Sequence, residues 1–393
     1  MTFISRFFQY FLFASLSYAT CYPVQAESWP PIRPPDPLTA EWVIKQTLTR
    51  FPEVHARHRA YLAALARAEA VPLSPEPLSG GKVSGVPAIS ADANLEFRQL
   101  KRTLAERDAD IVFADALEHH MMLQWQAHYA FLDYLHAQEA IRILDNHKRL
   151  ADAFLPATQA RIHDGASDMA DLGLESARLT VELLRWGQEK LNASWRMNTL
   201  MDRNWEAFLT PAKLGEPSPL PANRENLVGR ALSQSPNARR ARSQVARASA
   251  RQALAKGEDP AFLPLSAVTH ELAGAEDQQR GVNTAIVRDV TLAYEGARVK
   301  LDMNKHHSNT ILPRVRQLAN AATAGYRNRQ MTISQLIQRY RAQADAELEA
   351  LRVRIEYEKS LADLAQHLGV LPDYAIRTMS ERPLNTSREP RAQ

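Results

Sequence analysis

The chain has 393 residues, 45% of them hydrophobic, with 48 basic and 44 acidic side chains and a formal net charge of +4. Its length allows two ordinary domains, since domains commonly run to about 100–200 residues. The single cysteine, Cys21, excludes a disulfide framework within the chain.

The N-terminus predicts export. A weakly positive segment ends at Arg6, an apolar run follows from Phe7 to Ala19, and Val24-Gln25-Ala26 is a small-residue cleavage site. We therefore expect residues 1–26 to be a signal peptide, because the apolar run is shorter than the ~20 residues of a membrane-spanning helix. Cys21 is removed with it, unless that cysteine is itself lipid-modified; the bulky Tyr18 fits a lipidation signal poorly.

The basic cluster at residues 239–251 does not indicate nucleic-acid binding. Its arginines recur at helical spacing, which is typical of a solvated helix face, and an exported protein rarely meets nucleic acid.

The first half of the mature chain predicts a helical hairpin. Residues 27–37 form a proline-rich lead-in, and a first repeat spans 38–215. Its first helical region runs to about residue 70, with Thr39 as N-cap and a break at Pro52. A connector with four prolines and three glycines occupies 71–94. Long helices are expected at about 95–162 and 169–208, joined by a tip at 164–168.

The second half repeats this plan over residues 222–371. Shifting the sequence by 184 positions sets Leu48 on Leu232 and Pro52 on Pro236, and a shift of 164 sets Leu172 on Leu336. Helices are expected at about 225–256, 275–326 and 332–368, with a connector at 257–274 and a tip at 327–331. Residues 372–393 form a polar tail that begins at Pro372.

Each return helix carries an apolar stripe at three- and four-residue steps. In the first repeat it comprises Leu172, Ser176, Leu179, Leu183, Trp186, Ala193, Met197 and Leu200. In the second it comprises Ile337, Tyr340, Ala344, Leu348, Leu351, Ile355, Ala362, Ala365 and Leu368. Such spacing is typical of knobs-into-holes packing. The predicted fold class is therefore mainly all-α, with two tandem repeats of long antiparallel coiled-coil hairpins. A hairpin of this length cannot bury both of its faces on itself, which favours self-assembly.

The order of these motifs resembles the TolC-type outer membrane efflux protein family over roughly residues 38–371. Each repeat opens with Leu-x-x-x-Pro, at Leu48–Pro52 and Leu232–Pro236. Each also carries the family's tip pattern, at Ala160–Leu172 and Ala324–Leu336, where the second copy has Asn328-Arg329 in place of the glycine turn.

The resemblance implies a homotrimer whose helices form an α-barrel, a periplasmic tunnel that continues into an outer-membrane β-barrel. It also implies an adaptor (membrane fusion) protein that docks on the tips, an inner-membrane pump, and export of metal ions or toxic small molecules. Carried over position by position, the docking residues are Asp164, Gly165, Ser167, Asp171, Leu172, Asn328, Gln330, Thr332, Ser334, Gln335 and Leu336.

The connectors depart from this pattern. A membrane-spanning strand needs about 9–11 alternating residues, and proline is confined to strand edges and bulges. The connector at 71–94 has four prolines and no aromatic residue, and only 262–269 in the second repeat could be a short strand. The protein is therefore expected to have reduced or absent β-strands. The alternative function is a non-conducting periplasmic scaffold or binding protein derived from the same repeat.

Two groups of side chains are candidate metal ligands. His119 and Met122 lie one helical turn apart, and Met303, His306 and His307 have similar spacing. Imidazole with thioether suits Cu(I). These groups lie at non-equivalent positions of the two repeats and offer only two or three ligands each, so neither a metal site nor a cofactor is expected.

No catalytic residues are predicted. Carboxylate pairs such as Asp108 and Asp110 lie on solvated helices, and the sequence has no HExxH, nucleophile elbow or glycine-rich phosphate loop. The chain is not expected to be an enzyme.

Overall fold

The computed structural model describes residues 33–71, 91–159, 165–221, 223–257 and 264–369. The helices of these ranges all lie in one unit, which begins at Pro35. They are α1 (Ala40–Arg50), α2 (Pro52–Glu69), α3 (Ala91–Gln159), α4 (Gly165–Leu200), α5 (Arg224–Gln234), α6 (Pro236–Gly257), α7 (Leu265–His306), α8 (Leu312–Arg327) and α9 (Ile333–Leu368). A π-helical turn, His307–Ile311, joins α7 to α8. In these ranges the only β feature is an isolated parallel bridge between Leu38 and Ala212. No described helix is both long and apolar enough to cross a membrane.

The predicted repeat is visible in the short helices. Helices α1 and α5 each have 11 residues, and their first residues are 184 positions apart. In both copies a single extended residue, Phe51 or Ser235, precedes a proline that begins the next helix. Proline suits the first position of a helix because no partner is needed there for its missing N–H. Thr39 is the N-cap of α1, as predicted, and its hydroxyl accepts a hydrogen bond from the Trp42 amide at 3.3 Å.

Four long segments form the body. Helix α3 has 69 residues and is therefore about 100 Å long. Helix α4 packs against α3, α3 packs against α9, and α9 packs against α7 and α8. This order makes α4 and the α7–α8 rod the two outer members of a row. Every residue of the two predicted apolar stripes is buried or half-buried, which confirms the mainly helical fold class and its antiparallel hairpins.

Helix α7 corrects the predicted connector at 257–274. The helix begins at Leu265, ten residues earlier than expected, directly after Pro264. Residues 264–269, considered as part of a strand, are thus at the start of a helix. The β preference of valine is weak and depends on context, and here Val268 lies in a helix with 1% of its surface exposed. The remaining connector residues, 72–90 and 258–263, lie outside the described residues.

The end of helix α4 also differs from the expected one, whereas the end of α9 does not. Helix α4 stops at Leu200, because the Asn198 side-chain amide donates to the carbonyls of Trp205 (3.0 Å) and Ala207 (2.8 Å) and holds the chain in a turn. Helix α9 ends at Leu368, as predicted, and Gly369 follows it in the left-handed conformation (φ 72°). Glycine adopts this conformation without steric cost.

The π-helical turn ends at Ile311, two residues before Pro313. Proline has no N–H to donate to the carbonyl four residues earlier, and its ring would clash with that carbonyl. The α7–α8 rod absorbs the disturbance by widening one turn at His307–Ile311 and then continues to Arg327.

Candidate assembly and docking surfaces

The two hairpins are joined near their tips by a small apolar core. Leu172 and Leu336 are 2% and 1% exposed, and they belong to a cluster that includes Tyr326 and Ile333. The Ser334 hydroxyl donates to the Asp171 carboxylate across the same boundary. Both leucines were predicted as docking residues, and here they face the interior of the chain.

The second tip is a tight, capped turn. The Gln335 amide donates to the Thr332 hydroxyl (3.3 Å), and the Thr332 amide donates to the Gln335 side chain (3.1 Å), which forms a capping box at the start of α9. Arg329 takes a positive φ of 62°, and the Gln330 amide donates to the Gly325 carbonyl at 2.8 Å.

The predicted docking residues of this tip divide into two groups. Asn328, Gln330, Thr332 and Gln335 are exposed, whereas Ser334 is half-buried. Asn328 and Gln330 are therefore the exposed members that do not form the capping box.

The first tip is only partly described. Gly165 and Ser167 lie in the first turn of α4, where only the backbone is described, and Asp164 lies outside the described residues. Asp171 is half-buried beside Ser334.

The outer face of α4 carries a second apolar stripe that the sequence reading missed. Leu174, Val181, Leu184 and Leu191 are between 51% and 71% exposed. Their spacing of seven, three and seven residues is that of a coiled-coil seam. The heptad spacing of these four residues could have revealed the stripe in the sequence. The buried stripe on the opposite face of α4 was sufficient to explain packing within one chain, so a second stripe was not expected.

The α7–α8 rod has a matching stripe. Leu292, Val299, Met303 and Leu318 are between 42% and 65% exposed. Each outer rod of the row therefore presents an apolar seam without a partner in the described part of this chain. Rows of exposed apolar side chains of this kind are candidate interaction surfaces.

Three polar contacts between helices show that the ends of the two seams nearer the tips lie at about the same level along the rods. The Glu347 carboxylate on α9 contacts Arg316 on α8 and His147 on α3, both at 3.1 Å. The Ser176 hydroxyl on α4 donates to Asp152 on α3 at 2.9 Å. Helices α3 and α4 are antiparallel. Five residues farther from the tip than this bond, Val181 of α4 therefore lies level with His147 of α3. Leu318 is two residues from Arg316, about 3 Å along the rod.

Among the described residues, no three His, Cys, Asp or Glu side chains lie close enough to share a metal ion. His119 is buried and lies 3.0 Å from the Glu53 carboxylate. Burial lowers the pKa of His119, so this imidazole is kept neutral at pH 7. Met122 and Met303 are exposed.

No family model and no curated protein matches the sequence. Solved structures do match. The outer-membrane channel OprN aligns with a TM-score of 0.67 and 15% identity over 84% of this chain and 89% of that one. The MtrE outer membrane channel of Neisseria gonorrhoeae, in its open state, aligns with a TM-score of 0.66 and 14% identity over 84% and 88%. The CmeC outer membrane channel of Campylobacter jejuni aligns with a TM-score of 0.65 and 8% identity over 87% and 89%. The resemblance predicted from the sequence is thereby confirmed at the level of the fold: this chain has the helical architecture of the TolC-type outer-membrane channels.

Proposed function

We propose that this chain is the subunit of a homotrimeric helical duct in the cell envelope, part of a tripartite efflux system. The duct would pass metal ions or toxic small molecules outward after an inner-membrane pump and an adaptor deliver them. The transport energy comes from the pump, and the chain itself catalyses nothing. The fold shared with outer-membrane channels supports this role.

The observation that carries the proposal is the pair of exposed seams on opposite edges of one row of helices. When two different surfaces of the same chain pair head to tail, the copies form a ring if the rotation closes. A rotation about an axis parallel to the rods does not change the height of a residue along them. Val181 of one copy would therefore meet Leu318 of the next. The seams differ in position from the buried stripes, so pairing them leaves each hairpin intact. The number three is taken from the resemblance.

The tips supply the docking surface for the adaptor. Asn328 and Gln330 are exposed on a turn that is fixed by the capping box and by the apolar core behind it. A polar, rigid turn at the end of a rod can meet the tip of a partner hairpin without a large apolar patch.

Assembly can be tested with one exposed seam residue. Leu184 is 71% exposed, so a Leu184→Lys variant should fold normally but lose the trimer, because a lysine would have to be buried between copies. The matched control is Glu189→Lys, an exposed position on the same helix outside the seam. Light scattering coupled to size-exclusion chromatography measures the mass. A monomeric wild-type chain, recovered in the soluble periplasm, would contradict the duct and favour the alternative of a non-conducting scaffold.

Docking can be tested with a photo-crosslinking amino acid at Gln330. Gln317 on α8 is an exposed control ten residues above the end of that helix, about 15 Å away. We expect crosslinking in cells from position 330 to an adaptor identified by mass spectrometry, and none from 317. Equal yields from the two positions would remove the docking assignment.

A further inference from the structure

An open cleft of about 660 Å³ lies between α3 and α4. Its walls include Trp125 and Tyr129 from α3 and Trp195 from α4, and Asn192 and Thr199 also line it. Trp195 continues the exposed stripe of α4, four residues beyond Leu191. The cleft is therefore an extension of the α4 seam.

The cleft is built rigidly. One oxygen of the Asp363 carboxylate accepts hydrogen bonds from Trp125 Nε1 (2.7 Å) and the Tyr129 hydroxyl (2.6 Å). The two rings lie with centroids 4.3 Å apart, and Trp195 meets Trp205 edge to face at 5.1 Å. Aromatic walls held in this way form a preorganised apolar surface.

Ion pairs close one end of the cleft. The Asp133 carboxylate lies 2.5 Å from Lys359 and 3.3 Å from Arg196. Because these charges are already paired, the space that remains suits an apolar group more than a charged one.

The α7 seam lies at the level of this cleft. A second, smaller cavity is lined by Val290 of α7 and Gln366 of α9, which places those residues at one level. Leu292 and Val299 follow Val290 by two and nine residues toward the tip. On α9, which runs away from the tip, Asp363 and Lys359 lie three and seven residues nearer the tip than Gln366. These are the residues that bind the cleft side chains Trp125, Tyr129 and Asp133. Leu292 and Val299 are 65% and 54% exposed, and they lie about 10 Å apart along the rod.

We propose that Leu292 and Val299 of a neighbouring copy fill the aromatic cleft between α3 and α4. This inference rests on the proposed head-to-tail assembly and names its anchor: two aliphatic side chains seated on three aromatic rings, with Asn192 and Arg196 at the rim. Buried anchors in preformed pockets carry most of the binding energy of an interface, and polar rim residues exclude water around them.

Disulfide crosslinking of the full-length chain tests this seating. The background is Cys21→Ser, because Cys21 is the single native cysteine. Copies carrying Thr199→Cys are mixed with copies carrying Leu292→Cys or Val299→Cys, and mild oxidation follows. A disulfide requires Cβ atoms about 3.5–4.5 Å apart. We expect a crosslinked dimer from at least one of these mixtures and none from any single variant alone.

Two further mixtures separate the anchor from the assembly. A mixture of Val181→Cys and Leu318→Cys copies tests whether the seams pair near the tips, independently of the cleft. Thr199→Cys with Leu318→Cys is the mismatched control, since position 318 lies 19 residues from position 299, about 28 Å along the rod.

The outcomes are distinct. A crosslink for 181 with 318, but none for 199 with either 292 or 299, overturns the anchor and leaves the assembly standing. The absence of both overturns both. A crosslink between two Leu292→Cys copies would show that equivalent edges meet, which also overturns the anchor.

Discussion

Replacing Gly369 by alanine should destabilise the chain strongly. The residue has a φ of 72°, and a Cβ atom built on it would lie 2.9 Å from the Ser235 Cα and 3.0 Å from the carbonyl carbon and oxygen of Gln234. The left-handed conformation costs a non-glycine residue about 1–2 kcal/mol. Overpacking costs about 1–3 kcal/mol, and here the neighbouring atoms are backbone and cannot rotate away. Together these give a loss of about 2–5 kcal/mol in the free energy of unfolding.

Urea unfolding followed by circular dichroism measures this loss, at one fixed protomer concentration because assembly contributes to stability. Gly281→Ala is the matched control. Gly281 lies inside α7, and a Cβ there would meet nothing within 4 Å. Alanine should stabilise that helix by about 0.5–1 kcal/mol. If Gly369→Ala cost less than about 1 kcal/mol, or shifted the midpoint in the same direction as the control, the close contact between the end of α9 and the α5–α6 break would be refuted.

Three further predictions concern polar groups that are buried or half-buried. Burial lowers the pKa of His120, so the unfolded chain binds protons first as the pH falls below about 6.5; thermal stability should drop between pH 7.5 and 5.5, and His120→Gln should reduce that drop. Asp363→Ala leaves the Trp125 and Tyr129 donors without their acceptor, at a cost of about 1–3 kcal/mol in urea unfolding, whereas an unchanged midpoint would contradict the two hydrogen bonds. Burial raises the pKa of Glu347, but hydrogen bonds, of which the one from His147 contributes most, lower it to about 2. The resulting stabilisation is present above about pH 4.5 and is lost as the pH falls toward 2. Glu347→Gln should therefore reduce the change in the free energy of unfolding between these pH values.

Local sequence signals predicted most of the fold. Pro52 and Pro236 fix the breaks between short helices because the residue before a proline is driven to extended conformations. Thr39 needs only a neighbouring amide to act as a cap. The buried stripes followed from periodicity alone, since a rod with one apolar face must turn it toward another rod.

The remaining features depend on contacts that periodicity does not encode. Helix α4 ends early because of one side chain, Asn198, which bonds to carbonyls seven and nine residues ahead. Helix α7 begins directly after Pro264, earlier than expected, and Val268 is buried in its first turn. Leu172 and Leu336 were assigned to the docking surface by alignment with a motif, and only the packing of the two hairpins shows that they face inward. The docking role of the exposed tip residues remains a prediction.

The widened turn before Pro313 has an effect far from the proline itself. Leu292 and Leu318 are 26 residues apart, which in a regular α-helix is about 7.2 turns, so the two side chains would point about 80° away from each other. The π-helical turn takes up one extra residue, and the 25 residues that remain make about 6.9 turns, which brings the two directions to within about 20°. The proline thus corrects the angular phase of the lower rod. A substitution at position 313 that restored a regular helix would change the direction of Leu318 relative to Leu292 by about 100°.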